Sequence, residues 1–420
     1  MTASAFSPSL RLQDTFSLQV PAGQSARAAP LRRAYRRIGF LFNHDQIHQI
    51  RHSLPIALAL RATEPGLRVI IAVSNEAIAA EVTRIAHDLG EGPVELVRLA
   101  LTSRLGRAAS LLAGKLAPAG KALLYRDNLD FFRSLDALVV TERTSLMLKT
   151  RYGLQDLPIF LADHGAGDRA IGFGVQARLF DHVLAAGPKI RDRMIRDAGV
   201  DPERISITGY PKFDAGPPPP FTPPPGWAGR PTVLYNPHPA PHLSSWYRQG
   251  RSVLEFFLRS ARYNLIFAPH IMLFQRPVAM TVDPPGIGLP GGIPLRYRTA
   301  PNILIDISSR ALVDMTYTAG ADIYLGDASS QVYEFLSRPR PCVFLNPHRV
   351  DWCGDDNFAH WRAGPVISTT TALEEALDHA QERHAETFLP LQRQLVDYTF
   401  ERGEIPSARR AAERIAALVA

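Results

Sequence analysis

Gly326-Asp-Ala-Ser-Ser330 lies between an apolar run, Asp322 to Leu325, and the helix-like segment Gln331-Val-Tyr-Glu-Phe-Leu336. A polar turn that opens a helix presents backbone N–H groups without intrahelical partners, and here the hydroxyls of Ser329 and Ser330 join them, a combination suited to phosphate. The same serines would serve equally as a helix cap. Three further apolar runs end in histidine. Pro158 to Ala162 leads into Asp163-His164-Gly165-Ala-Gly167, Leu265 to Ala268 into Pro269-His270, and Tyr235-Asn236 into Pro237-His238. An imidazole titrates near neutrality, so His164, oriented by Asp163 or Asp168, is a candidate to take a proton from a hydroxyl. His270 and His238 are candidate donors to phosphate oxygens. Each histidine alone is more simply a turn residue, and it is the convergence of polar strand ends that favours a site.

These residues need elements to hold them. Short apolar runs alternate with helix-period segments from Arg37 onward. Strands are expected at Ile38 to Phe42, Leu67 to Val73, Val94 to Leu99, Ala137 to Thr141, Pro158 to Ala162, His182 to Ala186 and Ile205 to Thr208. A second series follows at Thr232 to Asn236, Asn264 to Ala268, Asn302 to Asp306, Asp322 to Leu325 and Cys342 to Leu345. Alternation of this kind predicts α/β architecture: two Rossmann-like, doubly wound parallel-sheet domains facing a cleft, with ligands outside the strand carboxyl ends. The expected division is a disordered basic leader over 1–35, an acceptor-side domain over 36–215, a Pro-rich linker over 216–231, a donor domain over 232–385, and helices over 386–420 that pack back across the joint. Asp283 to Gly292 is loop by composition.

With 420 residues, 46% of them hydrophobic, the chain can build sizeable cores, and no apolar run approaches the roughly 20 residues that span a bilayer. Two cysteines make no disulfide framework, and a cytoplasmic setting is expected. The balance of 47 Lys and Arg against 40 Asp and Glu gives +7. No zinc-finger spacing, RNP-type strand or long basic helix points to nucleic acid. The arginines between Arg27 and Arg37 could instead meet an anionic membrane, placing the protein on the inner face of the cell membrane, or simply solubilise the leader.

His44, His48 and His52 follow the first strand at i, i+4 and i+8, which aligns them on one face if the segment is a helix. Without a His-Glu-x-x-His pattern, His44 and His48 are expected to line the cleft on the acceptor side, with no metal. Trp246, Trp352 and Trp361 are expected to pack.

In order along the chain, His164-Gly165, Gly209-Tyr-Pro-Lys-Phe-Asp214, Tyr235-Asn-Pro, Pro269-His270, Asp306, Ala321-Asp322, Gly326-Asp-Ala-Ser-Ser330 and Glu334-Phe335 resemble the CDP-glycerol glycerophosphotransferases of teichoic acid synthesis, over roughly residues 155 to 350. The resemblance implies the GT-B fold, with His164 as base and His270, Ser329 and Ser330 on the nucleotide diphosphate. It further implies that Asp327 orients the turn, that Asn236, His238 and Glu334 belong to the donor side, Glu334 at the ribose, and that no cofactor is needed. The implied partners are a CDP-activated or other nucleotide-activated donor and a saccharide or lipid-linked acceptor.

The chain departs from that family at His164-Gly-Ala-Gly-Asp-Arg169, where the family has His-Gly-Thr-Pro and then a lysine, so Arg169 is the candidate to replace that cation, and it is expected on the acceptor side. It departs again at Ala268-Pro-His270, where the family has Arg-Pro-His, leaving Arg276 or Arg310 to compensate. Alternatives are a glycosyltransferase using a UDP- or CMP-sugar, a UDP-sugar 2-epimerase, or a non-catalytic scaffold.

Overall fold

A computed structural model describes residues 35–44, 47–102, 117–163, 165–282 and 284–420. His164 and the expected leader up to residue 34 lie outside the described residues. The first sheet contains β1 (Arg36–Phe42), β2 (Leu67–Val73), β3 (Leu96–Arg98), β4 (Ala137–Val140), β5 (Ile159–Ala162), β6 (His182–Ala185) and β7 (Ile205–Ile207). The second contains β8 (Thr232–Asn236), β9 (Asn264–Phe267), β12 (Ile303–Ile305), β13 (Ile323–Gly326), β14 (Cys342–Leu345) and β15 (Val366–Ile367). Between β9 and β12, β10 (Ala279–Val282) and β11 (Pro285–Gly288) form a separate hairpin.

Runs such as Ala-Leu-Val-Val in β4, Ile-Phe-Leu-Ala in β5 and Cys-Val-Phe-Leu in β14 are buried throughout, as parallel strands covered on both faces must be. The strand orders are β3-β2-β1-β4-β5-β6-β7 and β12-β9-β8-β13-β14-β15, every neighbour parallel. In the first sheet β1 pairs with β2 on one flank (Ile38 beside Val69) and with β4 on the other (Phe40 beside Val139). In the second, β8 pairs with β9 and β13 in the same way, so each sheet has a switch point, at β1/β4 and at β8/β13, where a crevice opens at the carboxyl ends.

The elements differ from expectation in three places. The stretch predicted as loop from Asp283 contains β11, which pairs antiparallel with β10, Met280 beside Ile287. The two-residue β15 was too short to register as a pattern. His44, His48 and His52 share no helix face: Ile47–Gln49 is a 3₁₀ turn and the α-helix begins at Ile50.

The 216–231 segment forms neither helix nor strand. It is anchored on the second sheet's side by Trp227, whose indole N–H donates to Pro301 O at 2.8 Å, and by Phe221 against Tyr317. At the joint Tyr210, Phe213 and Phe400 stack within 5.0 Å of one another, and Tyr333 from the second domain meets Phe400. The final helix, Ser407–Val419, turns Ala408, Ala411, Ala412, Ile415 and Val419 inward and packs on the Ile50–Thr63 helix. Among the described residues no helix is long and apolar enough to cross a membrane.

Candidate functional site

Both switch points carry polar residues, among them His44, His238, Asp327, Ser329 and Ser330 singled out above. At β1/β4, Asn43 and His44 follow β1 while Thr141 and Glu142 follow β4. At β8/β13, Pro237-His238 follows β8 and Asp327-Ala-Ser-Ser330 follows β13, with Pro269-His270 beyond the neighbouring β9. The glycine loop after β5 meets the second domain directly. A β-carbon built on Gly167 would lie 3.0 Å from Ser330 Cβ, and one on Gly165, at φ +128°, would lie 3.5 Å from Ser330 Oγ. Glycine at 165 permits that backbone and glycine at 167 permits that approach.

The turn divides its residues between two roles. Asp327 is buried and its carboxylate accepts from His238 N at 2.9 Å, Ser245 N at 2.6 Å, Ser245 Oγ at 2.8 Å and its neighbour Ala328 N. Burial raises its pKa, against the pull of those donors. Ser329 is buried, its Oγ accepting from Gln331 N at 3.4 Å. Ser330 is exposed toward the glycine loop. The helix that follows, Gln331–Leu336, has only six residues and offers little dipole; hydroxyl and backbone donors matter more at this turn.

Two imidazoles have their tautomers fixed by backbone donors. His238 Nδ1 accepts from Ala240 N at 3.0 Å and His270 Nδ1 from Met272 N at 3.3 Å, so each neutral ring carries its proton on Nε2. Burial, reinforced by His270, Arg169 and His242, holds His238 well below the ordinary imidazole range, and it is neutral at physiological pH. The His238 and His270 ring centroids are 6.1 Å apart, and His48 of the first domain stands 5.8 Å from His270. Arg169 extends from the glycine loop with its guanidinium 5.0 Å from the Phe358 ring centroid. Among the described residues no carboxylate comes within ion-pair distance of it.

His44 and His52 lie elsewhere. His44 is buried at the β1/β4 switch with Nε2 3.1 Å from Thr141 Oγ1 and Nδ1 3.9 Å from Glu142, whose carboxylate is held by Lys121 at 2.5 Å. Burial alone would raise the Glu142 pKa, but His44 and Lys121 take it down to about 2. His52 packs edge-on against Tyr210.

Asn236 and Glu334, expected on the donor side, are buried and hold the scaffold. Asn236 Nδ2 donates to Ala268 O at 2.7 Å, tying β8 to the strand end that carries His270. Glu334 Oε1 accepts from Lys212 Nζ at 2.7 Å and Tyr210 OH at 3.0 Å, a bond between the domains. Arg310 pairs with Glu81 of the first domain at 2.9 Å.

Sequence reasoning missed the buried centre of this assembly. Asp163 or Asp168 was expected to orient His164, which lies outside the described residues. The two Asp168 carboxylate oxygens accept from Lys189 Nζ at 2.7 Å, from Tyr333 OH at 2.8 Å to each oxygen, and from His360 N at 2.9 Å, with His360 Nδ1 at 2.8 Å. Burial opposes the charge, but Lys189 and His360 hold the carboxyl far below its usual range. His360 Nε2 and Trp361 Nε1 then reach Asp327 O at 2.8 and 2.7 Å. One carboxylate thus links the His164 loop to the serine turn through three elements. Lys189, Tyr333 and His360 lie in no motif, and only their distance along the chain from Asp168 hid them.

The cavity beneath the glycine loop, lined by His52, Asp163, Gly165, Thr208 and Tyr210, measures about 10 Å³, room for one water. Among the described residues no group of three or more His, Cys, Asp or Glu is arranged to hold a metal ion.

No protein-family model matches the chain, and no curated protein matches it. Solved structures do. A protein assigned as a UDP-N-acetylglucosamine 2-epimerase from Listeria monocytogenes superposes with a TM-score of 0.55 at 14% identity, covering 92% of this chain and 96% of its own. The wall teichoic acid polymerase TagF gives 0.55 at 12% identity, covering 92% and 89%. MnaA from S. aureus, in a structure with UDP, gives 0.53 at 13%, covering 91% and 95%. At such identities the likeness concerns architecture alone: the chain has the GT-B fold, two parallel-sheet α/β domains, that these enzymes have.

Proposed function

We infer that the protein is a transferase acting on a nucleotide-diphosphate donor, with CDP-glycerol or a related CDP-polyol as donor and a saccharide or lipid-linked hydroxyl as acceptor. The observation that supports this is the meeting of Ser330 with the Gly165–Gly167 backbone, with Arg169 two residues beyond Gly167 and the His238 and His270 rings 6.1 Å apart at the neighbouring strand ends. Hydroxyl, imidazole Nε2–H donors and a guanidinium are the complement of a diphosphate. In this scheme His164 takes the proton of the acceptor hydroxyl. The acceptor oxygen bonds to the donor's β-phosphorus as the bond from that phosphorus to the bridging oxygen breaks, and CMP leaves with the electron pair. Ser330, His270, His238 and Arg169 stabilise the charge that develops. Asn236, Asp327, Ser329 and Glu334 act through the backbone and partners they hold. His44, with Glu142 and Thr141 at the β1/β4 switch, is on the acceptor side, as is His48.

A second reading is a UDP-sugar transferase or 2-epimerase. The likeness to MnaA with UDP and to the Listeria protein favours it, as does Ala268 ahead of Pro269-His270. Thermal shift with CDP-glycerol, CDP, CMP, UDP and UDP-N-acetylglucosamine separates the two. A ligand at about 100 times its dissociation constant adds about 2.7 kcal/mol, so selective stabilisation by cytidine compounds, largest for CDP-glycerol, is the expected result. Preference for uridine compounds would move the protein to the second class. With the preferred nucleotide, Arg169→Ala is expected to weaken binding about tenfold or more, the loss of a charge-assisted contact.

A further inference from the structure

We propose that the outer face of the β10–β11 hairpin docks on an anionic lipid bilayer. The hairpin leaves the carboxyl end of β9 after His270, the same end of the sheet as the cleft. Its register sets Met280 opposite Ile287, and period-two alternation puts Val278 and Leu289 on that same side. The other side is sealed: a β-carbon on Gly288 would lie 2.5 Å from the Tyr247 ring and 2.8 Å from Pro241, so the glycines lie flat on those residues. Among the described residues none covers the outer side chains. Met280 is 74% exposed, Ile287 72% and Leu289 68%, with Val278 and Leu295 also exposed.

Charge selects the occupant. From the end of β8 to the end of β12, residues 237–305, the sequence has seven arginines and two acids, Glu255 and Asp283; Arg262 pairs with Glu374 and Asp378 from outside the stretch, and the remaining arginines still outnumber the acids. Glu255 is itself engaged by Arg259 at 2.7 Å and Arg296 at 3.1 Å, and Arg251 borders the loop at Gly291. A second copy seated on this face would bring two such basic segments together, which like-charge repulsion disfavours. The large exposed apolar residues of this stretch are aliphatic or thioether, with no Trp, Tyr or Phe of the kind that anchors protein interfaces. Exposed apolar side chains carried on a basic stretch of chain, with Arg276 two residues before Val278 and Arg251 at the Gly291 loop, match the acyl boundary and the anionic headgroups of a bilayer, and docking there would hold the cleft against a lipid surface. This does not depend on which donor the cleft takes.

The test is co-sedimentation of the full chain with phosphatidylcholine vesicles, with and without phosphatidylglycerol, alongside the Met280→Asp/Ile287→Asp variant. The expected result is binding to the phosphatidylglycerol vesicles that weakens as salt rises, and at least about a tenfold loss in the variant at an unchanged Tm. Equal binding by the variant would assign any membrane contact to another part of the chain and overturn the proposal. So would absence of binding at low salt, equal binding to pure phosphatidylcholine, or a wild-type dimer that the aspartates split without any vesicle binding.

Discussion

Ser329 and Ser330 are adjacent and chemically identical, yet one is buried under the turn and the other faces the opposite domain. His238 differs from an ordinary surface histidine in staying neutral as pH falls below the usual imidazole range, so its contribution to a phosphate site is a hydrogen bond, not a charge. The buried Asp168–Lys189 pair is the centre on which stability and site geometry both depend. Asp168→Asn leaves the Lys189 ammonium without its counter-charge, and a loss of about 3–5 kcal/mol in urea denaturation is expected. Nucleotide-induced stabilisation should fall in the same variant, because the His164 loop and the serine turn lose their common anchor. His182 gives a pH signature. Burial, with the Arg414 charge, lowers its pKa from 6.5 to about 4. Between those values the unfolded chain binds a proton that the native state does not, so stability should decline as pH falls from about 6.5 to about 4. His182→Asn should flatten that upper part of the acid slope in a series of thermal melts. Glu142, held down to about 2 from 4.5, contributes stability above that range that is lost as pH falls from about 4.5 to about 2, and the variant should keep this lower part.

The glycine loop and the serine turn are the two elements whose fit defines the site. Gly165 and Gly167 were legible as places of close backbone approach, but what approaches them was not, because Ser330 lies in the other domain. The two positions should respond differently to alanine. At Gly165 the φ of +128° makes any side chain strained, and a cost of about 1–3 kcal/mol should appear as a lower Tm. At Gly167 the backbone accepts alanine, but the new methyl would stand 3.0 Å from Ser330 Cβ and push the two elements apart by a few tenths of an ångström. There the expected outcome is a near-wild-type Tm with a reduced shift on adding the preferred nucleotide. An unchanged shift would mean that the Ser330 contact plays no part in binding.

Across the whole molecule the domains are tied at several separate places: Asp168 to Tyr333 and His360, Glu334 to Lys212 and Tyr210, Glu81 to Arg310, and Arg196 to Asp356 at 2.6 Å. With the domains tied at these places, nucleotide entry is expected to require them to part. Arg310→Ala, which cuts the tie from a partly exposed guanidinium, should raise the ligand-free radius of gyration in small-angle scattering, and the preferred nucleotide should restore it. Equal radii for wild type and variant, with and without nucleotide, would show that closure does not depend on this pair.

The parallel, doubly wound architecture was readable in the order of residues because it is a local matter: buried strands such as β4, β8 and β14 declare themselves as short apolar runs, and turn residues punctuate them. The strand-end residues at His238, His270 and Asp327 were readable for the same reason, since each sits where an apolar run stops. Tertiary structure alone decided which of them face one another. Asp168 and His360 are 192 positions apart, Tyr210 and Glu334 124, and no periodicity spans such distances. Burial is likewise a property of the packed chain, and burial is what turned Glu334 and Asn236 inward and kept His238 neutral.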